Sequence, residues 1–352
     1  MLIKLEYYKN LTGIRAIAAL LIMVLHFFNQ LTIDTNILKF FFNFSKIGQT
    51  GVTLFFVLSG FLITRILIHT KHSKRYFRTF YIRRVLRIFP LYYLFLVLYY
   101  YVFPYILQTH DGFDSKPYYF LYLQNFALSF QWSLDDGPGH FWSLAVEEHF
   151  YLIWPLVIYL CSQKTLKKVI YITALSALIL RFIISCSGYE IMWLTYTRMD
   201  SLAIGSLLAL MEIEKKISKN SFQFLSLFFI CIFLTFATSF LFTEENRNVF
   251  HCLKYTFWSF GFLGCLGYVL SVDSKHFFNR ILCSKVLNYT GKISYGLYVY
   301  HLFAFAFINH FLHFNSWIIQ MFSSFLATYI ISAISYHFFE SFFLKLKKKF
   351  TS

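Results

Sequence analysis

Charged side chains are scarce in this chain. They make up 14% of 352 residues, against 58% hydrophobic and 22% aromatic. A soluble domain carries about a quarter charged residues. The shortage excludes a water-soluble globular protein and points to an all-α integral membrane protein. Acids are scarcer still, 16 against 32 Lys and Arg, which leaves a net charge of +16. That excess does not indicate nucleic acid. The basic residues fall in short clusters between apolar runs, as loop anchors do. Paired cysteines are missing: Cys161, Cys186, Cys231, Cys252, Cys265 and Cys283 are scattered, with no CxxC. Apolar packing is therefore expected of them, and no metal or redox centre. No small-residue cleavage site follows the first apolar run, so it reads as a retained span rather than a signal peptide. No internal repeat of the secondary-transporter kind is visible, and no soluble domain is expected at either end.

What is present is a succession of apolar stretches of spanning length. They cover residues 11–31, 47–69, 86–107, 141–161, 168–185, 193–211, 222–242, 252–271, 291–312 and 316–340. The sixth carries Arg198 and Asp200 near its start. Residues 118–130 are apolar but too short to span, so a re-entrant or interfacial piece is expected there. With the N-terminus inside, the inside segments hold 23 basic residues, Lys4 and Lys9 among them, and the outside segments hold five. The remaining four, Arg15, Arg65, Arg181 and Arg198, fall within spans. This asymmetry predicts a bundle of about ten transmembrane helices with both termini cytoplasmic. The whole chain, 1–352, forms one transmembrane domain on this reading.

Ionisable groups inside such spans are costly and are functional candidates by default. Arg15 and His26 lie in LTGIRAIAALLIMVLHF with ten residues between them. At about 100° per residue, eleven steps bring both to one helix face, about 16 Å apart along the axis. On the expected topology Arg15 is near the inner face and His26 in the outer third. Glu147, in FWSLAVEEHFYLIWP, falls about 9 Å below the outer end of the fourth span, close to the depth of His26. A carboxylate there could raise the basicity of the imidazole and fix its tautomer. A solvated helix start is the plain alternative for Glu147, Glu148 and His149.

Arg83, Arg84 and Arg87 enter the third span from inside. Arg84 and Arg87 share a face, Arg83 does not. Guanidiniums at an inner surface suit phosphate, and equally the lipid headgroups of a positive-inside anchor. GKISYGLYVYH places His301 near mid-membrane, a second candidate. Ser59 and Gly60, small residues in GVTLFFVLSGFLIT, suit close helix packing.

Together these segments resemble the membrane acyltransferase-3 family of O-acyltransferases. The resemblance rests on the Arg15/His26 pair, GVTLFFVLSGFLIT, RRVLRIFPLYY, FWSLAVEEHFYLIWP, RMDSLAIGSLLA and GKISYGLYVYH, in family order from Leu11 to Glu340. It implies a bundle of about ten membrane helices. It also implies transfer of an acyl group, usually acetyl from acetyl-coenzyme A, to a carbohydrate hydroxyl. His26 is then the essential histidine, Arg15 its companion and Glu147 the glutamate after WSL. Arg84 and Arg87, with Arg83 beside them, match the arginines associated with the acyl donor. Arg198, Asp200 and His301 are additional site candidates. Some relatives carry a C-terminal extramembrane domain, and this chain is expected to be a stand-alone member.

The expected mechanism runs across the membrane. Anionic donor is held at the inner face, and about 16 Å of helix separates Arg15 from His26, comparable to an extended pantetheine arm. His26 then acts as general base on an acceptor hydroxyl, or forms an acyl-histidine. No cofactor is bound permanently and no metal is expected; acyl-coenzyme A is a substrate. Expected partners are a carbohydrate or glycolipid acceptor, such as surface polysaccharide or lipopolysaccharide, and the lipids of the cytoplasmic (inner) membrane. The alternatives are a cytoplasmic small-molecule acceptor and a glycolipid transporter or flippase. Release of free coenzyme A separates the enzyme from the transporter.

Overall fold

The computed structural model describes residues 7–107, 114–132, 137–242, 247–312 and 314–350. Lys4 of the expected inside set lies outside these residues. Among the described residues the regular structure is helical. Ten helices have 18 residues or more: α1 Lys9–Phe28, α2 Thr50–Thr70, α3 Tyr76–Tyr101, α4 Trp142–Leu160, α5 Gln163–Cys186, α6 Thr195–Ile213, α7 Ser221–Leu241, α8 Arg247–Ser271, α9 Ser294–Phe311 and α10 Trp317–Ile334. Each overlaps one expected span.

Five candidate spans are long and apolar enough to cross a membrane: Lys9–Phe28, Asn36–Thr70, Gln163–Cys186, Ser221–Leu241 and Trp317–Leu346. The other long helices carry polar groups that lower their hydropathy. Arg78, Arg83, Arg84 and Arg87 ride on α3, Glu147 and Glu148 on α4, and Arg198, Asp200 and Glu212 on α6. Apolar stretches therefore located the helices but not all of their ends. The third helix starts at Tyr76 rather than residue 86, because the arginine-rich segment continues the helical turn beyond the apolar part. Residues 118–130 form two short helices, Lys116–Phe120 and Gln124–Ser129, neither of spanning length.

The chain divides into two compact units. One comprises Thr53–Tyr76 and Pro117–Ile281, with the chain up to Leu11. In it α6 is almost wholly buried, packed on α4, α5 and α8, while α7 packs on α8. Lipid offers no hydrophobic drive between helices, so close backbone approach and polar contacts carry the association. Gly60 shows this: a Cβ there would stand 1.9 Å from the carbonyl oxygen of Leu202. Gly205 meets the Val57 carbonyl in the same way, at 2.0 Å. The small residues of GVTLFFVLSGFLIT and RMDSLAIGSLLA are thus two sides of one helix contact. Trp154 Nε1 donates to Thr64 Oγ1 at 2.7 Å, and Thr64 Oγ1 donates to Ser206 Oγ at 2.7 Å, tying α2, α4 and α6 together.

The other unit comprises Thr12–Val52, Phe77–Lys116 and Leu282–Ser352. Its core gathers Met23, Phe27 and Phe28 of α1 with Leu38, Ile293, Leu297 and Phe305. Phe27 and Phe305 meet edge to face at 5.9 Å, an arrangement worth about 1 kcal/mol beyond burial. The last span is not a plain α-helix. After Ile334 the residues Ser335–Glu340 form a π-helical segment, and Ser341–Leu346 returns to α.

Candidate active site

α1 is one unbroken helix, rich in Ala, Leu and Ile, so Arg15 and His26 ride on a single rigid element. His26 is half-buried, and its Nδ1 stands 2.6 Å from Nε2 of His301, which is fully buried on α9. The ring planes differ by 4°. Nδ1 of His301 lies 2.7 Å from the carbonyl oxygen of Tyr298.

These two contacts settle the proton positions for a neutral pair. A carbonyl oxygen only accepts, so Nδ1 of His301 carries a proton and donates to Tyr298. Nε2 of His301 is then a bare acceptor, and His26 donates to it from Nδ1. The free lone pair of His26 is left on Nε2. An imidazole oriented by a second-group hydrogen bond, with its other nitrogen unprotonated, has the form a general base needs. Matching depth makes Glu147 the expected orienting partner of His26; within its own unit His26 also meets an imidazole, His301, whose tautomer is set by backbone.

Glu147 belongs to the first unit and is held there. Ser59 Oγ donates to its Oε1 at 2.6 Å, and Tyr151 OH donates to Ser59 Oγ at 3.1 Å. Ser59, read from sequence as a packing residue, is therefore a carboxylate partner as well.

Arg198 and Asp200 are both buried on α6 of that unit. Two residues apart on one helix, they face different neighbours. Asp200 Oδ2 accepts from Nη2 of Arg181 at 2.8 Å, inside a wholly buried ion pair. Arg198 donates from Nη2 to Thr53 Oγ1 at 2.8 Å and lies 4.0 Å over the ring of Tyr255. Its Nε and Nη1 have no hydrogen-bond partner among the described residues.

Arg15 of α1 and Arg83, Arg84 and Arg87 of α3 share the second unit with Lys347. Lys347 follows the last apolar helix and is half-buried. Burial pushes its ammonium down to about 7, and the charges of Arg87, Arg84, Arg83 and Arg15 push it the same way. Four arginines of α1 and α3 therefore act on one lysine. Arg15, Arg84 and Arg87, singled out in the sequence, all act on Lys347, and so does Arg83, which helix geometry turned to another face. Lys347 was not singled out in the sequence, where it is one of several lysines in a terminal basic run. Like charges that act on one another are costly, and a bound anion would lower that cost.

Residues 8–337 match the acyltransferase-3 family, described as an acyltransferase domain. The chain belongs to that family. As an acyltransferase-3 chain, it carries the family's strings on particular helices: the Arg15/His26 pair on α1, RRVLRIFPLYY on α3, FWSLAVEEHFYLIWP on α4 and GKISYGLYVYH leading into α9. Two similar proteins are a peptidoglycan O-acetyltransferase, OatA, of Listeria monocytogenes and an O-acetyltransferase, OatA, of Staphylococcus aureus. The first is 28% identical over 96% of this chain and 56% of its own length. The second is 27% identical over 96% of this chain and 57% of its own length. The chain thus spans somewhat more than half the length of these relatives. No solved structure matches.

Proposed function

We propose that this acyltransferase-3 chain is an integral-membrane O-acetyltransferase that moves acetyl from cytoplasmic acetyl-coenzyme A to a hydroxyl of a cell-wall or other surface carbohydrate. The family membership and the named activity of the relatives support the reaction class. The single observation that carries the mechanism is the His26–His301–Tyr298 relay, which leaves a bare Nε2 on His26.

In the proposed step, His26 Nε2 takes the proton of the acceptor hydroxyl as its oxygen attacks the thioester carbonyl. The positive charge that develops is shared with His301 through the Nδ1 hydrogen bond. Collapse of the tetrahedral intermediate expels the thiolate, which takes the proton back from His26 Nε2 and leaves as the coenzyme A thiol. Arg15, Arg83, Arg84 and Arg87 hold the donor's phosphates through charge-assisted hydrogen bonds. Glu147, held by Ser59, is a further proposed catalytic carboxylate, and Glu147→Gln should lower the transfer rate.

The test is turnover by purified full-length protein in liposomes. With acetyl-coenzyme A and a cell-wall glycan fragment, free thiol should appear together with acetylated glycan. Binding of donor without thiol release would return the chain to the transporter alternative.

A further inference from the structure

Arg181 and Arg198 of the first unit are both fully buried, at 0% and 1% exposure, and only one of them has its hydrogen bonds filled. Arg181 bonds through every nitrogen. Its Nε donates to the carbonyl of Cys252 at 2.9 Å, its Nη1 to the carbonyl of Thr197, and its Nη2 to Asp200 Oδ2 at 2.8 Å and to Thr256 Oγ1. Arg198 donates from Nη2 alone, to Thr53 Oγ1 at 2.8 Å. Its Nε and Nη1 find no acceptor among the described residues. A buried charge that lacks hydrogen bonds is costly, and an acceptor atom brought by a ligand would remove that cost.

The acid two positions on does not serve. Asp200 gives Oδ2 to Arg181, and its Oδ1 accepts from the Ser201 N–H at 2.8 Å. Aromatic rings flank the guanidinium instead, with centroids at 4.0 Å for Tyr255 and 5.7 Å for Phe56. A ring face attracts the charge but does not balance it as a carboxylate would. A second cation shares one of these rings. Lys254 Nζ is 5.0 Å from the Tyr255 centroid and forms no ion pair among the described residues. Arg247, His251 and Lys254 stand at i, i+4 and i+7 of α8, on one face, and pass from exposed to half-buried. A basic stripe thus leads from the start of α8 to the ring beside Arg198. Arg198 lies one turn into α6, and Thr53 one turn into α2. The starts of α2, α6 and α8 are outer ends on the topology that the charge asymmetry predicts. Ser59, the partner of Glu147, is about 9 Å further in along α2 than Thr53. Arg198 therefore stands outward of the proposed catalytic carboxylate.

We propose that Arg198 is an acceptor-binding residue: the N–H groups it leaves unfilled take an oxyanion of the acceptor, a carboxylate or a phosphate, with Lys254 as a second cation at the same ring. A neutral sugar oxygen would fill an N–H but leave the charge unbalanced, so the acceptor is an anionic glycan. This rests on the proposed carbohydrate acceptor, and the experiment separates the two.

Acetyl transfer is measured with full-length protein in liposomes, acetyl-coenzyme A and two matched pairs of acceptors. One pair is a cell-wall glycan fragment with free carboxylates and the same fragment amidated. The other is a phosphorylated oligosaccharide and its dephosphorylated form. Wild type should prefer the charged member of at least one pair, and that pair names the source of the oxyanion. In Arg198→Gln this preference in kcat/KM should fall about tenfold or more, through the acceptor KM. Arg198→Lys should recover part of it, as a point charge without the fork. Glutamine keeps a donor for Thr53, and thermal unfolding checks that each variant is folded. Lys254→Met should lower the same preference by less, and it carries the test if Arg198→Gln does not fold. An arginine satisfied by a trapped water would slow transfer to both members equally. Equal losses within each pair, or a wild type indifferent to acceptor charge, overturn the proposal. If wild type releases no thiol with any acceptor, the reaction reading fails and the site is judged by calorimetry of the same fragments. A charged fragment bound about tenfold more tightly by wild type than by Arg198→Gln then supports it, and equal or absent binding overturns it.

Discussion

At the scale of single residues, the proposed chemistry of His26 depends on which of its nitrogens is bare. The backbone carbonyl of Tyr298 decides it, through His301. Replacing His301 by Gln keeps a group able to accept from His26 Nδ1 but cannot share the developing charge. His301→Gln should slow acetyl transfer about tenfold, and His301→Ala more, while His26→Ala costs the most. Steady-state rates on well-folded variants check this order. A larger loss in His301→Ala than in His26→Ala would make His301 the base. Lys347 gives a second prediction. With its ammonium held down to about 7, it is charged at pH 6 and largely neutral at pH 8. A bound phosphate favours the charged form, so coenzyme A binding should take up protons near neutrality and weaken as pH rises through that range. Calorimetry in buffers of different ionisation enthalpy measures the uptake, and Lys347→Met should abolish it. Unchanged uptake in that variant would place the titrating group elsewhere. The Arg15/His26 stripe was legible in the sequence because helical period alone fixes residues eleven apart. The His26–His301 bond was not, since 275 positions separate the two and no local pattern links them. The same holds for Glu147, whose partner Ser59 is 88 positions away.

At the scale of elements, the helices are joined by close backbone approach as much as by apolar area. α2 and α6 approach so closely that Gly60 leaves no room for a Cβ. Gly60→Ala should therefore lower stability by about 1–3 kcal/mol through overpacking, with the helix propensity of Ala acting the other way. Thermal unfolding in detergent would show it as a lower midpoint. An unchanged midpoint would mean the two helices can part without cost. Apolar runs revealed where helices lie, because burial in lipid demands them. They did not reveal the full length of α3, whose first turns are arginine-rich, nor the π segment of the last helix. No composition signal marks a π turn.

At the scale of the whole molecule, the charge asymmetry predicts that both termini face the cytoplasm. Reporter fusions at Lys74 and Lys349 should read cytoplasmic and a fusion near Asp114 external. A cytoplasmic reading near Asp114 would overturn the depth expected for Glu147. The class of protein was legible from composition alone, since 14% charge cannot clothe a soluble surface of this size. The acceptor was not, because recognition of a glycan lies in the shape of a surface and not in any short string. The most direct measurement of the central claim is acetyl transfer by full-length His26→Ala protein in liposomes, with coenzyme A affinity measured in parallel. Transfer is expected to be at least about a hundredfold slower, with donor affinity little changed, because the cations proposed to hold the donor are intact. Near-normal transfer by folded His26→Ala protein would contradict it.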